Sequence, residues 1–131
     1  MNPSVSSFRQ RALSFLRSEQ ERLTRQYPHV KFGLGELQPW PINLSAMIMD
    51  AKIEEPDLVE LVITVANGES VSPSVEVDVC WGHDGNGAVE GRFASDWVLA
   101  DQATLDRVYG DLPRLVSLLV AAVERRKPYN W

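Results

Sequence analysis

The sequence predicts an α+β domain of two layers: an N-terminal helix, an antiparallel sheet of about four strands, and C-terminal helices on one face of that sheet. Three observations carry this. Val75, Val77, Val79 and Trp81 alternate with Glu76, Asp78 and Cys80, the period of a strand with one dry and one wet face. Apolar residues at helical spacing frame the strands at both ends of the chain. Strands joined by tight turns favour antiparallel pairing, and such a sheet can be covered by helices on one side only.

The elements follow in order. Phe8, Ala12, Phe15 or Leu16, Leu23 and Tyr27 mark an amphipathic helix over about 3–26, with Asn2 and Pro3 suited to its start and Pro28 to its end. Arg9, Arg11, Arg17, Arg22 and Arg25 are interrupted by Glu19 and Glu21, which reads as a solvated face. Gly33, Gly35, Pro39 and Pro41 make 31–41 irregular, or at most a short strand. Residues 43–53 read as a strand, with Met47, Met49, Ala51 and Ile53 on one side and Ile48, Asp50 and Lys52 on the other. After the turn Glu54 to Asp57, the Val- and Ile-rich 58–66 reads as a central strand.

A loop from Asn67-Gly68 through Pro73 leads to the alternating strand 75–81. His83-Asp84-Gly85-Asn86-Gly87 then supplies a hairpin turn, and Val89, Gly91 and Phe93 alternate with Glu90 and Arg92. Leu105, Val108 and Tyr109 mark a short helix. Gly110-Asp111 is expected to break it and recap a second, with Leu112, Leu115, Val116, Leu119, Val120 and Val123 as its buried stripe. Arg125, Arg126 and Lys127 suit a helix C-terminus, and Pro128 stops it. Residues 1–131 thus form one domain.

Charge is segregated along this layout. Between Asn43 and Asp101 twelve acidic residues stand against only Lys52 and Arg92, whereas the rest of the chain has a surplus of basic residues; the net charge is −5. The acidic balance argues against general nucleic-acid binding, which depends on Lys and Arg neutralising phosphates. No apolar run is long enough for a membrane span, and the N-terminus lacks a basic segment followed by an apolar one, so no signal peptide is expected. A single cysteine, Cys80, forms no internal disulfide and fits a reducing cytoplasm.

No motif names a reaction. Cys80, His83 and Asp84 are close in sequence, but a catalytic Cys and its His usually converge from distant segments, and a structural zinc site needs four ligands in paired spacings. Glu76 and Glu90 are a conceivable acid and base pair, yet a sheet face open to water would not separate their pKa values. The glycine-rich 82–87 lacks a Walker lysine and leads into no helix. The chain is therefore expected to be catalytically silent, with no metal and no cofactor.

If the Val and Trp side of the sheet faces the helices, Asp50, Lys52, Glu60, Thr64, Glu76, Asp78, Cys80, Glu90 and Arg92 populate the open face. From these, Asp50, Glu60, Glu76, Asp78, Glu90 and Arg92 are expected to bind a basic protein partner, since complementary charge speeds encounter. Trp40, Trp97 and Trp131 are candidate aromatic anchors, because tryptophan is enriched where binding energy concentrates.

The layout from Val75 through the hairpin Val79-Cys80-Trp81-Gly82-His83-Asp84-Gly85 to the amphipathic helix Leu112 to Arg125 resembles the small acidic immunity proteins of bacterial polymorphic and contact-delivered toxin systems. It is a likeness of style over the C-terminal half and transfers no individual residue. It implies a cytoplasmic, non-enzymatic protein that binds one cognate toxin and occludes its active site. The alternatives are a small-molecule-binding or enzymatic α+β domain with a pocket between sheet and helices, and a secretion chaperone.

Overall fold

A computed structural model describes residues 2–37, 39–48, 57–66, 72–82 and 88–125. Helix α1 spans Pro3–Gln26, and the Asn2 side chain caps it by accepting a hydrogen bond from the Val5 N–H at 2.8 Å. Strands β1 (Val30–Glu36), β2 (Ile42–Ile48), β3 (Asp57–Ala66), β4 (Ser74–Trp81) and β5 (Val89–Arg92) form an antiparallel meander in chain order. A two-residue strand, β6 (Val98–Leu99), pairs with the start of β4. Helix α2 spans Gln102–Glu124, with the Asp101 side chain accepting from the Thr104 N–H at 2.8 Å.

The architecture is α+β with both helices over one face of the sheet, but it holds more strands than the expected four. The segment from Lys31, expected to be irregular or a short strand, contributes a seven-residue edge strand whose Gly33 and Gly35 pair with Ser45 and Asn43. The ladder to β2 offsets the entropy that glycine loses in a strand. The expected break at Gly110-Asp111 is absent. One helix runs through Gly110 and Pro113 because Leu105, Val108, Leu112, Leu115, Val116 and Leu119 form an unbroken buried stripe across both. Tertiary packing of that stripe outweighs local propensities of about 1 kcal/mol for Gly and about 3 kcal/mol for Pro.

The core lies between the sheet and the helices. Ile42, Leu44, Ala46 and Ile48 of β2, Val59, Leu61, Ile63 and Val65 of β3, and Val75, Val77 and Val79 of β4 meet Phe8, Leu16 and Leu23 of α1 and the α2 stripe. This reverses the sides expected for 43–53: Ile48 is buried toward the helices and Met47 is half-buried on the opposite face. Residues 49–56, and with them Asp50 and Lys52, lie outside the described residues.

Both sheet edges are capped by side chains. Gln20 of α1 donates to the Phe32 carbonyl at 3.1 Å on β1, and Arg114 of α2 donates to the Arg92 carbonyl at 2.8 Å on β5. Such caps blunt edge-to-edge association. Among the described residues no helix is long and apolar enough to cross a membrane.

Candidate functional site

Among the described residues nothing covers the face of the sheet away from the helices, which is concave. Its strand register places Ser45, Glu60 and Cys80 in one cross-strand row, Gly35, Asn43, Val62, Asp78 and Arg92 in the next, and Thr64 beside Glu76 in a third. From these rows Gly35, Asn43, Glu60, Val62, Thr64, Glu76, Asp78 and Cys80, with Glu36, Leu37 and Pro41, line a groove of about 510 Å³. Of the residues assigned from sequence to this face, Glu60, Glu76, Asp78 and Arg92 are there.

Glu90 is not. The register between β4 and β5 runs from Val79 opposite Gly91 to Cys80 opposite Val89, so Glu90 is an extra residue in a β-bulge. The bulge turns its carboxylate to the helix side, where Oε1 accepts from the Trp81 indole N–H at 2.6 Å and Oε2 meets Arg125 at 2.6 Å. Burial acts to raise the Glu90 pKa, but the hydrogen bonds from Arg125 and Trp81 prevail and hold it below the usual carboxylate range. Simple period-2 alternation misplaced it, and it is a structural clamp between hairpin and helix. Trp81 is half-buried against the core rather than fully within it.

The groove floor is held by a short polar chain. Asn43 donates through Nδ2 to Glu60 Oε2 at 2.8 Å, and Gly35 makes room for that amide, since a Cβ at position 35 would fall 1.7 Å from Asn43 Oδ1. Gly35 and Asn43 were missed from sequence. A Gly-x-Gly pattern inside a strand was their available signal, because it marks close approach of a neighbour.

Electrostatics at the groove favour a cation. Burial raises the Glu76 pKa, and the neighbouring Asp78 carboxylate raises it further by charge and by hydrogen bonding. Arg92 Nε stands 3.3 Å from Asp78 Oδ1. That contact lacks hydrogen-bond alignment, and the oxygen is shut off from water without a donor among the described residues. Cys80 is 3 % exposed, and burial, Glu60 and Asp78 push its thiol pKa up. A thiol that resists ionisation is a poor nucleophile. His83 and Asp84, its sequence neighbours, lie outside the described residues. Among the described residues no three His, Cys, Asp or Glu side chains are grouped to hold a metal ion.

Apolar groups border the same face. Leu37 is 62 % exposed at the groove wall, Val89 lies opposite Cys80, and Leu99 is 53 % exposed opposite Ser74, one step beyond Glu76. Trp97, also exposed, precedes Leu99 by two residues. Trp40, by contrast, stacks on Phe8 with ring centroids 6.2 Å apart and packs against the core, as a plug beneath its loop. Trp131 lies outside the described residues.

No protein-family model, curated protein or solved structure matches this chain.

Proposed function

We propose that this chain is a non-enzymatic protein-binding protein that docks a basic partner on its open sheet face, most specifically an immunity protein that neutralises a cognate toxin by covering the toxin's active site. The observation that carries this reading is the coincidence on one uncovered face of a carboxylate-lined groove and the exposed apolar residues Leu37, Val89 and Leu99. Solubility requires charge but no concave grouping of it, and Leu37 at the groove wall with Val89 and Leu99 on the same face adds apolar surface to that grouping. Apolar contacts supply affinity, while the carboxylates steer a basic partner and select against acidic ones. The resemblance in layout to immunity proteins supports the toxin-directed form of the reading and the cytoplasmic setting it implies.

The experiment is capture of the partner by the immobilised chain, with the wild type compared with Glu76→Lys/Asp78→Lys. The expected partner is basic, associates more slowly with the double reversal, and shows a shallower salt dependence with it. Expressed alone it arrests growth, and co-expression of this chain restores growth. Equal on-rates and salt slopes for both proteins would remove the face from the interface, and a harmless partner would remove the toxin.

A second reading is a binding site for a small cationic molecule. The groove volume of about 510 Å³ supports it, since ligand sites run from about 300 to 1,000 Å³. It would lie on the open face and not between sheet and helices. Saturable binding of a small amine in equilibrium dialysis, with no protein captured, would favour it.

A further inference from the structure

Resting on the protein-binding reading above, we infer that Arg9 of α1 is a positioning residue for the groove: from the helix layer it holds the β1–β2 connection, and with it Leu37, in the form that the partner protein meets. Among the arginines whose spacing reads as a solvated face, Arg9 is the departure. Its side chain is only 11 % exposed, against 54 % for Arg17 and 49 % for Arg22.

The guanidinium donates twice to the backbone of the connection, from Nε to the Pro39 carbonyl at 2.8 Å and from Nη2 to the Leu37 carbonyl at 3.2 Å. Nη2 also stands 3.6 Å from Glu36 Oε1, and the group lies 6.0 Å from the centre of the Trp40 ring, which itself stacks on Phe8. The Leu37 N–H donates to the Pro41 carbonyl at 3.2 Å. Both backbone groups of Leu37 are therefore committed, while its side chain is 62 % exposed. Glu36, Leu37 and Pro41 all line the groove, so one arginine of the helix layer fixes a wall on the opposite face of the sheet.

A guanidinium suits this task because its N–H donors form a rigid planar fork that serves two carbonyls at once, whereas an ammonium acts as a point charge. A wall fixed before the encounter avoids the ordering entropy that a loose connection would lose on binding. The sign of the charge separates this role from simple electrostatics. Arg9 is a cation beside carboxylates, so its removal, acting through charge alone, would speed association with a basic partner. Positioning gives the opposite result, weaker binding.

The test combines amide hydrogen exchange of the full chain with binding of the partner recovered by capture. In Arg9→Ala the Leu37 amide should exchange at least tenfold faster, with the backbone resonances of Leu61 and Ile63 in place as the sign of an intact fold. Affinity for the partner should fall about fivefold. Arg9→Lys keeps the charge without the fork and should lose about threefold with the wild-type salt slope; it also serves if the alanine variant fails to fold. Leu37→Ala should cost at least fivefold in the wild type and less than twofold beside Arg9→Ala, since groups that act through one another are not additive. Arg22→Ala, in the exposed pair with Glu19, should change nothing. Unaltered Leu37 exchange, equal or tighter binding by Arg9→Ala, or additive effects of Arg9→Ala and Leu37→Ala would overturn the inference. The protein-binding reading would then still stand if the partner remained sensitive to Glu76→Lys/Asp78→Lys, whereas recovery of no partner would remove both.

Discussion

The indole N–H of Trp81 donates to Glu90 Oε1 at 2.6 Å, and the other oxygen of the same carboxylate is held by Arg125 at 2.6 Å. One glutamate thus ties the β4–β5 hairpin to the C-terminal end of α2. Its folded pKa lies below the ordinary value, so the stability it contributes is present above its unfolded pKa and is lost as pH falls through the folded one. Glu90→Ala should destabilise the protein at neutral pH by about 1–3 kcal/mol, the range for losing hydrogen bonds to a charged group. Urea denaturation across pH should show that gap closing in acid.

Glu76 has the opposite sign. Its folded pKa is raised by burial and by Asp78, so the proton it binds stabilises the fold at low pH, and that contribution disappears as pH rises through the folded value. Glu76→Gln should therefore make the free protein more stable at neutral pH and leave acid stability nearly unchanged. The melting temperatures of both proteins across pH check this, and a destabilised Gln variant at neutral pH would contradict it.

Tyr27 should ionise late. Burial and a 2.6 Å hydrogen bond from its hydroxyl to Glu124 push its pKa up to about 12. Since the folded value lies above the unfolded one, its contribution is complete below the unfolded pKa and fades as pH rises toward the folded value. Tyrosinate absorbance in wild type and Tyr27→Phe should assign the last-titrating step to Tyr27.

Leu119 is fully buried with Val77 and Val79 in the core between sheet and α2. Leu119→Ala should cost about 2–5 kcal/mol, from lost transfer energy and the cavity left behind. A change below about 0.5 kcal/mol, typical of a surface site, would place that helix face wrongly.

Gly35→Ala should disturb the groove with the core intact. The new methyl displaces the Asn43 amide and releases Glu60. A cost of about 1 kcal/mol is expected from the lost hydrogen bond. The Asn43 side-chain amide resonances should shift, while methyl signals of Leu61 and Ile63 stay in place.

By itself the sequence determined the helix–sheet–helix order, the apolar sides of β3 and β4, and the placement of Glu60, Glu76, Asp78 and Arg92 on the open face. Those features are local. A period of two or of 3.6 residues states which side chains avoid water before any partner element is known. Only tertiary structure decided the rest. Whether Gly33 and Gly35 interrupt a strand depended on the β2 ladder that pairs with them, and whether Gly110 and Pro113 break α2 depended on a buried stripe longer than either local preference. Glu90 left the face predicted for it because one extra residue in a bulge reverses side-chain direction beyond it, a shift that alternation cannot register. The groove itself joins residues of β1, β2, β3 and β4 with Leu37 and Pro41, and exists only once the strands are in register.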